Sequence, residues 1–174
     1  MKLLLHSCCA PCSTAVITAL AEEKLRPDLF WYNPNIHPYT EYQSRRESLF
    51  SFAREENLEL LEEDEYGLRM FIRDFEEGMR CHFCYRIRLE RTAQMASLKA
   101  YQAFSTSLLT SPYQNHDLIR QTGEQCAQKY NVEFFYQDFR PWFWEGQKKA
   151  RAQGRYMQKY CGCIFSEEER YIKK

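Results

Sequence analysis

The chain has 174 residues, in which 24 lysines and arginines balance 24 aspartates and glutamates. That length suits a single domain, 1–174, able to bury a core without disulfide staples. The apolar run Leu3–Leu5 breaks at His6-Ser7, too short for a signal peptide, and nothing approaches the ~20 apolar residues of a membrane span, so a cytoplasmic protein with no membrane partner is expected.

Lys2–His6 reads as a short buried strand, followed by a helix over Ser13–Glu23 with Ser13 as its N-cap. Asp28–Tyr32 reads as a second strand, ending in the turn-rich loop Asn33–Pro38. Tyr39–Asn57 has a helical pattern and Leu58–Leu61 reads as a third strand. Residues 64–79 are polar, acidic and aromatic, an excursion punctuated by Gly67 and Gly78. A helix over Cys84–Lys99, a strand over Ala103–Leu109, a helix over His116–Tyr130, a strand over Val132–Tyr136 and a helix over Trp142–Gln153 complete the chain.

Strands alternating with helices of this length predict an α/β fold: a three-layer arrangement around a parallel sheet with right-handed crossovers. Ligands of such sheets gather beyond the carboxyl ends of the strands. Segments following four of the strands, at His6–Ser13, Asn33–Pro38, Ser107–Asn115 and Asp138-Phe139-Arg140, are therefore expected to line one rim.

Seven of the eight cysteines fall in three short stretches: Cys8, Cys9 and Cys12; Cys81 and Cys84; Cys161 and Cys163. In a cytoplasmic protein such thiols are reduced, and clustering of this kind points to a metal or to electron transfer. Adjacent thiols at a strand-to-helix turn gain from the helix N-terminus, which favours the thiolate that ligates metal. With Cys81 and Cys84, three apart at the start of another helix, they make a four-thiolate set suited to tetrahedral zinc or to an iron–sulfur cluster. Cys161-Gly162-Cys163 could form a strained, labile disulfide, which suits a redox-active dithiol, with metal ligation as the rival reading. Cys126, alone in a helical segment, reads as a packing residue.

The stretches Leu5–Ser13, Tyr32–Ile36, Arg80–Tyr85 with Arg88-Leu89-Glu90 and Thr92-Ala93, Ser105–Pro112 and Arg155–Cys163 resemble the QueH type of epoxyqueuosine reductase, in the family's order along nearly the whole chain. The resemblance implies reduction of epoxyqueuosine to queuosine at the wobble position of tRNA with a GUN anticodon, by two-electron removal of the epoxide oxygen. It implies a [4Fe-4S] cluster on Cys8, Cys9, Cys81 and Cys84, and no cobalamin. It also implies a redox-active disulfide at Cys161 and Cys163, fed by an unidentified electron donor. One additional iron is admitted, with Cys12 as its natural candidate ligand. The implied fold resembles the adenine nucleotide α-hydrolase-like domains of tRNA thiolation enzymes. His6–Ser13 occupies the place of their phosphate loop but holds no glycine, so ATP binding is expected to be lost. The rival readings are a thiol–disulfide oxidoreductase and a non-enzymatic zinc module that binds RNA.

Proton donors for the reaction are sought in Tyr85, His6 and Asp138, each of which also has an ordinary structural reading. For tRNA, the acid-free basic stretch Lys148, Lys149, Arg151, Arg155 and Lys159 offers cations, and Tyr32, Tyr113, Trp142, Phe143 and Trp144 offer stacking faces.

Overall fold

The computed structural model describes residues 1–74 and 78–172. Its centre is a five-stranded, wholly parallel sheet in the order β3-β2-β1-β4-β5. β1 (Leu3–His6) lies in the middle, between β2 (Asp28–Trp31) and β4 (Ala103–Thr106), with β3 (Leu60–Glu62) and β5 (Glu133–Phe134) at the edges. A strand covered on both faces is apolar without alternation. Leu3, Leu4 and Leu5 are all buried, each contributing about 2 kcal/mol through apolar area removed from water.

α1 (Ala10–Glu22) packs against α2 (Tyr39–Glu55) and α6 (Phe143–Ala152), whereas α4 (Arg80–Leu98) packs against α5 (His116–Tyr130), β1 and β4. The three-layer α/β expectation therefore holds. The strand order reverses direction between β1 and β4, which places the crevice of the sheet beyond their carboxyl ends.

Several boundaries differ from expectation for local reasons. α1 begins at Ala10 rather than Ser13, with extended Cys9 as its N-cap. Pro11 suits the first turn, where its missing N–H breaks no bond, and the Ser13 hydroxyl donates back to the Cys9 carbonyl at 2.8 Å instead of capping. β4 stops at Thr106, whose side chain accepts the Leu108 N–H at 3.2 Å and turns Ser107–Thr110 into a 3-10 helix. α4 starts one turn early, so Cys81 and Cys84 both lie in its opening turns. The excursion contains a short helix, α3 (Leu68–Asp74), and a helix unforeseen in the sequence, α7 (Ile164–Tyr171), follows the last cysteine pair. Phe75 to Glu77 of the excursion lie outside the described residues.

Gly146 explains why α6 sits so close to α1: a Cβ there would come within 2.5 Å of the Ala15 Cβ. This close approach brings Phe143 and Gln147 to the crevice.

Candidate active site

The first cysteine group forms at the turn from β1 into α1. The sulfur atoms of Cys8, Cys9 and Cys12 lie within 4.8 Å of one another and all three residues are buried. Ser107, delivered by the end of β4, accepts the Cys8 N–H at 3.1 Å and donates its hydroxyl to the Cys8 sulfur at 3.4 Å. Hydrogen bonds from Cys12 and Cys9 hold the Cys8 thiol well below its ordinary range. Cys9 is pushed up by dehydration, and Cys12 by its bonds to Cys8 and then Cys9. Their mutual bonds thus favour ionisation at Cys8 over Cys9 and Cys12, and the three sulfurs lie close enough together to share one cation.

His6 sits beneath this trio, fully buried. Its Nε2 faces two acceptors, the Tyr32 carbonyl at 3.2 Å and Asn33 Oδ1 at 3.1 Å, so it carries the proton and donates. Nδ1 accepts from the Thr106 hydroxyl at 3.0 Å. Burial, followed by the charge of Arg88, pushes His6 down to about 4. Neutral and fully committed, it ties β1, β2 and β4 together rather than serving as a proton donor.

Two buried arginines, not singled out in the sequence, flank the sulfur groups. Arg88 bonds the Cys84 carbonyl through Nε at 2.9 Å and the Cys84 sulfur through Nη2 at 3.0 Å. Burial pushes the Cys84 thiol up to about 12, with Arg88 acting in the opposite direction. Arg45 bonds Glu41 at 2.7 Å, the Cys161 carbonyl at 2.8 Å and the Tyr160 carbonyl at 2.9 Å. The available signal was spacing: each arginine stands four residues after its partner on a helix, Cys84 or Glu41, and so shares its face.

The Cys161-Gly162-Cys163 loop is fixed from several sides. Besides Arg45, the His37 N–H bonds the Gly162 carbonyl at 2.8 Å, and the Ile164 N–H bonds His37 Nδ1 at 3.1 Å. Gly162 has φ +150°, a conformation that side-chain-bearing residues rarely adopt. Both cysteines are free thiols. Cys163 packs with Cys84 and Phe71 in a small buried cluster of its own, so the fold brings one cysteine of the third pair beside one of the second. Cys161 lines the cavity, and there its thiol is pushed up by dehydration while the bond from Gln114 Nε2, at 3.3 Å, acts against it. Gln114 in turn accepts the Tyr85 hydroxyl at 2.5 Å. Tyr85, pushed up to about 12 by burial, thereby joins a chain of hydrogen bonds that ends on a cysteine sulfur.

These elements enclose a cavity of about 320 Å³, walled by Cys8, Cys12, Cys161, Arg45, Arg88 and Ser107. Three of the four expected loop segments meet there. Asp138-Phe139-Arg140 does not: Phe139 is buried, and Asp138 pairs with Arg140 at 2.6 Å, which holds its carboxyl below the usual range. Asp138 is a loop carboxylate rather than a proton source.

Tyr113 and Phe143 line the mouth and pack edge to face, and exposed Trp144 stacks edge-on against Phe143. Tyr32 is buried, and the Trp142 indole bonds Glu22 at 3.1 Å, so neither lies on that rim. Lys148, Lys149 and Arg151 are exposed on α6, and Lys159 lines the cavity. Arg155 must be taken out of the basic set: it is buried over Phe52 and bonds Glu55 at 2.8 Å. Cys126 is a buried packing residue, as expected.

Among the described residues, no fourth Cys, His, Asp or Glu joins Cys8, Cys9 and Cys12 within 4.8 Å. That is the reach of a single ion; a four-iron cluster is larger, and its thiolates need not converge on one point.

A family model described as Epoxyqueuosine reductase QueH matches residues 3–169. A protein of that name from Dehalococcoides mccartyi is 36% identical over 99% of this chain and 96% of its own length. Its namesake from Thermotoga maritima is 36% identical over 98% of the chain and 92% of its own length. The Haemophilus influenzae protein of the same name is 34% identical over 95% of the chain and 71% of its own length.

Proposed function

Because the chain belongs to the QueH family of epoxyqueuosine reductases, we propose that it reduces epoxyqueuosine to queuosine at the wobble position of tRNA with a GUN anticodon. The observation that carries the reading is the joining of two sulfur systems in one cavity: Cys8 and Cys12 on one wall, Cys161 on another. In this reading neither cobalamin nor ATP takes part.

The residues suit an iron–sulfur cofactor. The buried thiols of Cys8, Cys9 and Cys84, the exposed thiol of Cys81, and a buried guanidinium touching Cys84 are the donors and counter-charge that an anionic cluster calls for. Cys8, Cys9, Cys81 and Cys84 would hold a [4Fe-4S] cluster, and Cys12 would be left for one additional iron. The cluster would relay electrons one at a time from the dithiol, and the iron would offer a Lewis acid for the departing oxygen.

The chain's own residues do the rest. Removing an epoxide oxygen as water consumes two electrons and two protons, which Cys161 and Cys163 supply together on passing from dithiol to disulfide. An unidentified donor then restores the dithiol. Arg45 and the Gly162 backbone keep Cys161 at the cavity wall, and Gln114 offers its thiolate a hydrogen bond. Lys148, Lys149, Arg151 and Lys159 face phosphate, and Tyr113 offers the splayed base a stacking surface.

The test is purification without oxygen, followed by iron and sulfide analysis, a visible spectrum and an assay on tRNA carrying epoxyqueuosine. About four irons and four sulfides with queuosine formation is the expected result. A colourless, zinc-loaded protein inert on that tRNA would overturn the reading in favour of a zinc module.

A further inference from the structure

Tyr113 and Trp144 are the most exposed aromatic residues among the described residues, at 79% and 69%. They are not scattered singly over the surface. Both pack edge to face on one ring: Phe143 lies 6.2 Å from Tyr113 and 4.9 Å from Trp144, between centroids. Phe143 is 9% exposed and lines the cavity, as does Tyr113. Trp144 is not part of the lining, so its indole stands one ring further out. Adjoining aromatic faces left in water beside a cavity mark a surface made for a partner.

The periodicity of α6 shows what accompanies that indole. Phe143 and Gln147, one turn apart, line the cavity, while Gly146 and Ala150 are buried. Trp144 and Lys148 each follow one of the two lining residues, about 100° further round the helix, and Arg151 continues their row at the next turn. All three are exposed. Among the described residues no carboxylate lies within 4.0 Å of either cation, Glu145 of the same helix included. One row of the helix thus carries an aromatic face and two unpaired cations, and it runs beside the row that lines the cavity. A ring for a base and cations for the backbone make the surface to which a single strand of nucleic acid binds.

A wobble base drawn into the cavity leaves the stack of its loop, and the base next to it loses a neighbour. That second base stays outside, where Trp144 stands. We infer that Trp144 is the stacking platform for a nucleobase adjacent to the wobble nucleoside, with Lys148 and Arg151 on the phosphates of the same strand. This inference rests on the tRNA reading. It assigns to α6 a contact with an unmodified part of the substrate, made to the face of a base and not to its edge.

The experiment measures the affinity of the anaerobically purified, metal-loaded protein, without reductant, for anticodon stem–loops carrying epoxyqueuosine. One has its natural neighbours; in two others the nucleotide on one side or the other of the wobble position is abasic. Removing the stacked base should cost the wild type about tenfold. Trp144→Ala should lose about tenfold on the natural stem–loop and nothing further on that abasic one, whereas Trp144→Phe, which keeps a ring, should retain most of the affinity. Trp144→Ala binding as tightly as wild type, losses that multiply instead of merging, or a wild type indifferent to both abasic changes would each overturn the platform and leave the proposed activity standing. A wild type that binds the natural stem–loop no better than an unrelated hairpin of the same length removes both.

Discussion

Arg88 is a cation withdrawn from water that bonds a carbonyl and a sulfur, both from Cys84. A buried charge needs compensation, and against burial the groups that favour the charged form of Arg88 are Cys84, Cys161 and Cys8. Arg88→Met keeps bulk and removes charge. It is expected to weaken iron retention about tenfold or more, read as iron released to a chelator over time; retention equal to wild type would show that the guanidinium is only a packing group. Cys161 tests the electron path. Cys161→Ser should keep turnover with a strong chemical reductant and lose it with a physiological one, whereas equal turnover with both would remove the dithiol from the mechanism. Tyr85 and Gln114 belong to the same scale, since their bonds to each other and to Cys161 set the surroundings of a single sulfur atom.

At the scale of elements, the segment from Tyr160 to α7 is held to the sheet by side chains more than by packing. α7 contributes no fully buried residue, while His37 binds the segment at three points: its N–H to Gly162, its Nδ1 to Ile164 and its carbonyl to the Tyr160 hydroxyl. Nδ1 can accept the Ile164 N–H only while the ring is neutral. Burial pushes His37 down to about 4, from 6.5 in the unfolded chain. Between those values the undocked state binds more protons than the docked one, so docking is strongest above pH ~6.5 and weakens as pH falls toward ~4. The protection factor of the Ile164 amide in hydrogen exchange should fall across that window; a flat profile would show that something else holds the segment. α1 and α6 illustrate the opposite case, an interface set by small residues, in which Gly146 against Ala15 leaves no room even for a methyl group.

For the whole molecule, zero net charge conceals an uneven surface. Acidic residues gather from Glu55 to Glu65, while exposed Lys148, Lys149 and Arg151 lie on α6, the helix that also supplies Phe143 to the cavity mouth. Exposed cations of this kind favour a polyanion. Reversing Lys148 and Lys149 to glutamate should weaken tRNA binding and lower the slope of log affinity against log salt by about 2, roughly one for each phosphate no longer neutralised. An unaltered slope would place the tRNA elsewhere.

Where a feature rests on neighbours in sequence, the chain alone is enough to see it. The five strands and the α/β class follow from separate apolar runs, and α5 is legible at His116–Tyr130, where the structure shows Asn115 capping its start and left-handed Asn131 ending it. Cys8, Cys9 and Cys12 converge because a turn and the first residues of a helix can hardly do otherwise. The motifs also carry the family. Local cues fail where a second local preference competes, as with Pro11 against Ser13 for the start of α1 and the Thr106 hydroxyl against the continuation of β4. What only the tertiary structure decided are the pairings across distance. Arg45 meets Cys161 from 116 residues away, Cys163 comes to rest beside Cys84, and Arg155 turns inward to Glu55. The physical reason is that a spacing pattern reports which face of its own element a side chain occupies. Whether a cation on that face is buried against sulfur, paired with a carboxylate or left in water is settled by the groups the fold places opposite it.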